Sequence, residues 1–285
     1  MGLRVVIVSN VQPVVELLVG TLRDLEHEPV AVLSSRRPRG GPRPPDDLPA
    51  IGDTSVPEHL DVLSAHRKES VEPLLRAYDP DLMLCSGFGW KIPPEALAVP
   101  RLGSVNCHPA LLPRYRGPVP FAWTLRSGDS HYGITWHRMD AEFDTGPILA
   151  QASVPVDDSD QTILDIAPRT SAASIGLLPE VLDKVQARDP GEPQDEARAS
   201  WGGHFEEDEY ARVDWSHAAR SIHDQVRAWW LTFNMSGIVA PVAELNGLRV
   251  RLVRTSLTDP GDGSQRVETG DGPLWIVESE PLPHA

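Results

Sequence analysis

"RVVIVSNVQPVVELLVGTLRDLEHEPVAVLS" spans residues 4–34. Its first six residues form an apolar, β-branched run of the kind a buried strand needs. The period then changes. Val14, Leu17, Leu18, Thr21, Leu22 and Leu25 recur at helical spacing and predict one apolar face over residues 13–25. "PVAVLS" (29–34) returns to a strand pattern. Strand, helix and strand in that order predict a βαβ unit, and so a parallel sheet covered by helices.

The same signals recur downstream. "DLMLCS" (81–86), "GSVNCH" (103–108), "YGITWHRM" (132–139) and "GPILAQASVPV" (146–156) read as further strands. "VEPLLRAY" (71–78) reads as a helix end, and "PFAWTLRSG" (120–128) as a helix with Pro at its start and Gly at its stop. "QTILDIAPRTSAASIGLLPEVLDKVQ" (161–186) is helical, with Pro168 expected to bend or break it. "ARDPGEPQDEARAS" (187–200) lacks apolar periodicity and reads as a linker. Beyond it, "DWSHAARSIHDQVRAWW" (214–230) predicts a helix capped by Ser216. Residues 237–257 predict a hairpin about "LNG", and 273–279 another strand. The expected fold is α/β: an open, mostly parallel, Rossmann-like sheet with a small C-terminal β-rich, OB-like domain. The expected domains are 1–186, a linker 187–200, and 201–285.

Composition narrows the function classes. The chain has 285 residues, 40% of them apolar, enough for sizeable cores. No apolar run approaches the ~18 residues of a membrane span. The first apolar run reads as a strand rather than a signal peptide, so a cytoplasmic protein is expected. The two cysteines, Cys85 and Cys107, lie in strand-like runs and are expected as buried free thiols. There is no CxxC and no His pair at metal spacing, so no metal is expected. A net charge of −15 disfavours general binding to nucleic acid or anionic membranes. The local exception is the loop holding Arg36, Arg37, Arg39 and Arg43.

Several motifs fail. Gly87-Phe88-Gly89 follows a strand, but the third glycine position of a dinucleotide fingerprint is Ile92. There is no phosphate loop of the GxxxxGK type and no GxSxG elbow. One stretch remains, "SVNCHPALLPRYRG" (104–117). Alternation along a strand puts Asn106 and His108 on one face and Cys107 on the other. Pro109 then ends the ladder. Asn106 and His108 therefore stand at the carboxyl end of a strand, where open α/β sheets place ligands. An amide and an imidazole aimed at one point can stabilise an oxyanion, and His can move a proton near neutral pH. "MDAEFDTGP" (139–147) adds Asp140, Glu142 and Asp144 in a turn. One of these carboxylates beside the imidazole would orient it and raise its pKa. The residues alone do not choose which.

"NCHPALLPRYRGPVPFAW" followed by "GITWHRMDAEFDTGPILAQ" closely resembles the 10-formyltetrahydrofolate-dependent formyltransferases, both the methionyl-tRNA and the sugar N-formyltransferase kinds. "PDLMLCSGFGWKIPPE" (80–95) resembles that family's loop against the folate. "VDWSHAARSIHDQVRAW" (213–229) resembles the start of its C-terminal domain. The resemblance implies a catalytic trio of Asn106, His108 and Asp144, which chooses among the three carboxylates. It implies a folate site at Phe88, Gly89, Trp90, Lys91, Ile92 and Pro93. The same site would take in Ala110, Leu111, Leu112, Pro113 and Gly117, with Asp140, Ala141, Glu142 and Phe143. The co-substrate implied is 10-formyltetrahydrofolate, with no metal.

The formyl acceptor is read from charge and from departures from the family pattern. Residues 201–285 hold 7 Arg, no Lys and 13 Asp or Glu, a formal −6. Such a surface repels a phosphate backbone. Where the family's tRNA enzymes have Asn-Pro-Trp-Pro, this chain has "WWLTFNMSG". The expected acceptor is an amine or hydroxylamine of a small molecule, an amino sugar nucleotide or a secondary metabolite. The four arginines would suit a nucleotide diphosphate. A methionyl-tRNA acceptor and plain hydrolysis of the folate are the alternatives. Trp201, Trp215, Trp229 and Trp230 are expected to pack in cores or between domains, with substrate stacking the minority reading.

Overall fold

Strand β1 (Arg4–Val8), helix α1 (Gln12–Asp24) and strand β2 (Glu28–Ser35) follow one another in the computed structural model, which describes residues 2–35, 60–232 and 238–283. β1 and β2 pair in parallel, with Val8 opposite Leu33. Four residues of β1, Val5 to Val8, have no exposed surface. Burial of each side chain stabilises by about 1.5–3 kcal/mol, which makes this short strand a strong anchor. The α1 face is turned from the expected one. Val15, Leu18, Val19 and Leu22 are buried, whereas Leu17 is 44% exposed. Both faces satisfy helical spacing, and only the sheet beneath decides between them.

The large sheet continues through β3 (Asp61–Ala65), β4 (Leu82–Ser86), β5 (Ser104–His108), β6 (His131–Arg138) and β7 (Ile148–Pro155). Its order is β3-β2-β1-β4-β5-β6-β7. The first five are mutually parallel, and β6 runs antiparallel to β5. The chain moves outward from β1 to β3 and then returns to the other side of β1. β1 and β4 thus bracket a switch point, whose carboxyl end is the usual ligand crevice. Helices α2 (Val71–Arg76), α3 (Pro94–Leu97) and α5 (Ile163–Gln186) complete this part of the chain together with α1. Alternation splits the core into two layers. Val5, Ile7, Leu82 and Leu84 face α1 and α5, whereas Val6, Val8, Met83 and Cys85 face α2 and α3.

α5 does not break at Pro168. A proline six residues in forfeits one backbone bond, and burial of Leu178, Val181, Leu182 and Val185 carries the helix. The short strands β3 and β10 (Gln265–Glu268) carry too little apolar pattern to be read from sequence.

The chain divides into two compact units, 1–117 with 133–154 and 169–201, and 118–132 with 155–168 and 202–285. In the second unit α4 (Pro120–Arg126), α6 (Asp208–Ala211) and α7 (Ala219–Trp230) accompany a four-stranded antiparallel sheet. That sheet is ordered β10-β11-β9-β8, from β8 (Val242–Leu245), β9 (Leu248–Ser256), β10 and β11 (Pro273–Pro281). The expected Asn-Gly hairpin joins β8 to β9, with Asn246 and Gly247 both at positive φ. Ser216 does not cap α7. The helix starts later, at Ala219, whose N–H donates to Asp271 Oδ1 at 2.7 Å. Trp215, Trp229 and Trp230 pack within this unit as expected, Trp229 at 1% exposure. Trp201, in the first unit, is 55% exposed and lies in none of the cores formed by the described residues.

Both cysteines are buried and free. Burial pushes the Cys107 thiol up to about 12 and that of Cys85 higher still. Neither is a nucleophile at neutral pH. Ellman's reagent should therefore label neither thiol in the folded protein and both in guanidinium. Rapid native labelling would show that the β4–β5 core opens.

No helix among the described residues is long and apolar enough to cross a membrane. Arg36, Arg37, Arg39 and Arg43 lie outside the described residues.

Candidate active site

The site grows from the last residues of β5. Asn106 lies directly opposite His137 of β6, and His108 opposite Thr135. Facing residues of an antiparallel pair project to one side of the sheet. The register therefore sets a second imidazole beside the Asn106 amide, which donates from Nδ2 to His137 Nε2 at 3.1 Å. His137 Nδ1–H is committed to the Arg138 carbonyl at 2.8 Å, which leaves Nε2 as the acceptor. Reading strand by strand missed His137, because its position opposite Asn106 depends on which strands pair and in what register.

Asp144 joins the two strands' residues. Its Oδ1 accepts from Asn106 Nδ2 at 3.3 Å and lies 3.5 Å from His137 Nε2. Its Oδ2 accepts from the Gly117 N–H at 2.9 Å and lies 3.5 Å from His108 Nδ1. His108 donates its Nε2–H to the Tyr115 carbonyl at 2.8 Å, so Nδ1 is the nitrogen turned toward Asp144. The three residues named from the sequence thus meet in one cluster. Asp140 and Glu142 do not join it. Asp140 accepts from the Glu142 N–H and the Thr145 hydroxyl, forming the turn, and Glu142 pairs with Lys91 at 2.9 Å.

Backbone strain and a polar clamp hold this geometry. Asp144 and Tyr115 have φ of 58° and 59°, in the left-handed region that costs a side-chain-bearing residue about 1 kcal/mol or more. Gln194 fixes the first of these. Its Nε2 donates to the carbonyls of Asp144 and Gly146, at 2.8 and 2.7 Å. Arg116 bonds to Gln194 and to both oxygens of Glu196, and the Tyr115 N–H bonds to Ser200 Oγ. The stretch expected as a linker is therefore stitched to the site from Glu192 to Ser200. Its polar residues hydrogen-bond rather than pack, which is why no periodicity announces them.

Burial alone would push the Asp144 carboxyl up. His108, His137 and the Gly117 N–H outweigh it and hold the group down to about 2. His108 is itself held below its ordinary value by burial, against the opposing pull of Asp144. At neutral pH the pair is a carboxylate facing an imidazole. Since Asp144 is depressed from 3.8 to about 2, its ionisation stabilises the fold above pH ~4. That stabilisation, roughly 2 kcal/mol, is lost as pH falls toward 2. Asp144→Asn should accordingly lose less stability than wild type between pH 5 and pH 2.5 in denaturant titrations. Equal losses would show that the carboxylate is not held down by its partners.

The segments expected to bind folate lie around this cluster. Residues 87–93 follow β4, the neighbour of β5. Lys91 joins them to the 140–143 turn through Glu142, with its Nζ 5.9 Å from the centre of the Phe143 ring. Leu111 and Phe143 are 39% and 42% exposed, apolar surface available to a ligand, while Ile92, Ala110 and Leu112 are buried beneath. The backbone of Ala110 and Leu112 is committed to Thr135 and Gln151. These two residues shape the wall without offering it backbone hydrogen bonds.

Residues 4–182 match the family described as formyl transferase. The chain belongs to that family. A methionyl-tRNA formyltransferase of Pelobacter propionicus is 33% identical over 247 residues, covering 81% of this chain and 74% of that one. A methionyl-tRNA formyltransferase of Methylococcus capsulatus is 32% identical over 288 residues, covering 93% and 89%. Among solved structures, an N-formyltransferase of Helicobacter canadensis, in complex with folinic acid and dTDP-3-aminofucose, superposes with a TM-score of 0.69. It is 17% identical and covers 98% of this chain and all of that one. HypX of Aquifex aeolicus, in complex with tetrahydrofolic acid, superposes with a TM-score of 0.65 at 21% identity over 99% of this chain and 46% of that one. Both superpositions support the fold of this formyl transferase.

Proposed function

We propose that the protein transfers the formyl group of 10-formyltetrahydrofolate to the amine or hydroxylamine nitrogen of a small molecule. The observation that carries this reading is the convergence of Asn106, His108 and Asp144 at the carboxyl end of β5. A neutral acceptor nitrogen attacks the formyl carbon, and the carbonyl electron pair moves onto oxygen. The Asn106 amide donates to that oxyanion. Both of its N–H groups are engaged in the free protein, so one turns from His137 or Asp144 to the new charge. His108, a neutral imidazole in the free protein, takes the proton of the attacking nitrogen on Nδ1 and so becomes the second donor, and the Asp144 carboxylate stabilises that cation. Each such donor contributes about 3–4 kcal/mol to the transition state. That proton then passes from His108, through water held by Asp144, to the folate nitrogen. The electron pair returns, the carbon–folate bond breaks, and tetrahydrofolate leaves.

A small acceptor is supported by the formal −6 over residues 201–285. It is also in keeping with dTDP-3-aminofucose in the Helicobacter canadensis structure. Initiator methionyl-tRNA is the second reading, favoured by the names of the relatives about one third identical. Purified enzyme with 10-formyltetrahydrofolate should be offered three acceptor sets: amino sugar nucleotides, hydroxylamines and amines, and methionyl-tRNA. A fourth reaction has no acceptor. Mass spectrometry should find a small molecule gaining one formyl group, with equimolar tetrahydrofolate. Formylated tRNA as the fastest product would overturn the acceptor class. Folate turnover at the same rate without acceptor would make the protein a hydrolase.

A further inference from the structure

We propose that the cavity between Trp201 and Phe143 is the acceptor subsite and takes a planar ring carried by the amine substrate; this rests on the formyl-transfer reading above. In the second unit Trp123, Phe205, Tyr210 and Trp229 pack their rings against one another. Trp201 and Phe143 do not. They are 55% and 42% exposed, their ring centres lie 6.4 Å apart, and their planes are tilted by 57°. That is an open wedge rather than a filled stack. It bounds a cavity of about 470 Å³, completed by Arg116, Glu142, Thr145, Ala199 and Ser200. A space of this size holds one ring system with room for substituents.

Position ties the cavity to the chemistry. A Cβ on Gly117 would lie 3.0 Å from the Trp201 ring, so the indole rests on that glycine. The Gly117 N–H in turn holds Asp144 Oδ2, and Phe143 directly precedes Asp144. Both walls of the wedge are therefore one residue removed from Asp144, Trp201 through Gly117 and Phe143 along the chain. Apart from Glu142 and Phe143, the lining comes from residues outside every segment expected to touch folate. That favours the acceptor as occupant.

The lining also selects the kind of group. Arg116 spends its guanidinium on Gln194 and on both oxygens of Glu196. Lys91, the nearest partner of Glu142, is paired with it. No cation among the described lining residues is left for a phosphate. What remains is two ring faces, the Ser200 hydroxyl, which accepts from the Tyr115 N–H and keeps its own O–H to give, and the Thr145 hydroxyl, which donates to Asp140 and can still accept; these suit a neutral ring with polar edges. A nucleobase and the aryl group of an aromatic amine share this chemistry.

The test uses the whole protein saturated with 5-formyltetrahydrofolate, and ligand-observed NMR titration. Thymidine is compared with ribose, and tryptamine with ethylamine. In each pair the ring-bearing probe should bind at least about tenfold tighter, in line with stacking on one aromatic side chain. Preference for thymidine would mark a nucleobase and preference for tryptamine an aryl amine, and either supports the subsite. Trp201→Ala should bring the ring-bearing probes to the level of their partners, and Trp201→Phe should keep most of the difference. The affinity for 5-formyltetrahydrofolate should move by less than about twofold in both variants. The proposal is overturned if wild type shows no ring preference, or if Trp201→Ala leaves that preference intact. It is also overturned if folate and ring probes weaken by the same factor, which would give the cavity to the folate. Failure of wild type to bind 5-formyltetrahydrofolate at all would instead remove the formyl-transfer reading, and this inference with it.

Discussion

Alanine at Asn106, His108 or Asp144 should each lower turnover by at least about 100-fold, with binding of 5-formyltetrahydrofolate retained. Each member has its own part in the proposed chemistry. Asn106→Ala removes the proposed oxyanion donor and the amide bonded to His137 Nε2. His108→Ala removes the proposed second donor together with its bond to the Tyr115 carbonyl. Asp144→Ala withdraws the charge that supports a protonated His108 and releases the Gly117 N–H. Residues acting as a unit are far from additive, so the double variant Asn106→Ala/His108→Ala should be little slower than the worse single one. Single-turnover rates measured at saturating folate and acceptor would check this. A variant turning over within a factor of three of wild type would remove that residue from the proposed mechanism.

The second large effect is expected from one methyl group. A Cβ on Gly146 would stand 1.9 Å from the Arg138 carbonyl oxygen, an overlap no side-chain rotation relieves, because both partners are backbone. That oxygen accepts the His137 Nδ1–H, and Gly146 lies two residues beyond Asp144. Gly146→Ala must therefore push the 140–146 turn away from β6 and shift the carboxylate and the second imidazole together. Displacements near 1 Å at a reacting centre cost about 100-fold in rate. Overpacking adds about 1–3 kcal/mol of destabilisation. Turnover should fall by about two orders of magnitude while thermal unfolding stays cooperative at a lower midpoint. Unchanged kinetics would show that the turn tolerates movement and that its register does not set the catalytic geometry.

Much of the fold is legible in the chain because each element announces itself locally. The apolar runs of β1, β2, β4 and β5 need only a period of two and β-branched residues. The Asn246-Gly247 turn needs only two residues that accept positive φ. Where the local signal is weak the reading fails. β3 and β10 are short and largely exposed. The α7 start was misplaced because its first N–H is satisfied by Asp271, 52 residues away. The buried face of α1 lies about one position from the one its spacing predicts, since Leu17 and Val15 fit a helical stripe equally well.

For the site, the sequence by itself determined that Asn106 and His108 share a face at the end of a strand, because alternation is a property of the strand alone. It also supplied three nearby carboxylates, and the family pattern singled out Asp144 among them. The tertiary structure decided everything that depends on pairing across distance. Antiparallel register places His137 against Asn106. Gln194 reaches the Asp144 and Gly146 carbonyls across some fifty residues of chain. Trp201 stands half-exposed beside Phe143. The physical reason is common to all three. Hydrogen-bond partners and open ring faces are satisfied or left vacant by neighbours in space, and no local period encodes which neighbours those will be.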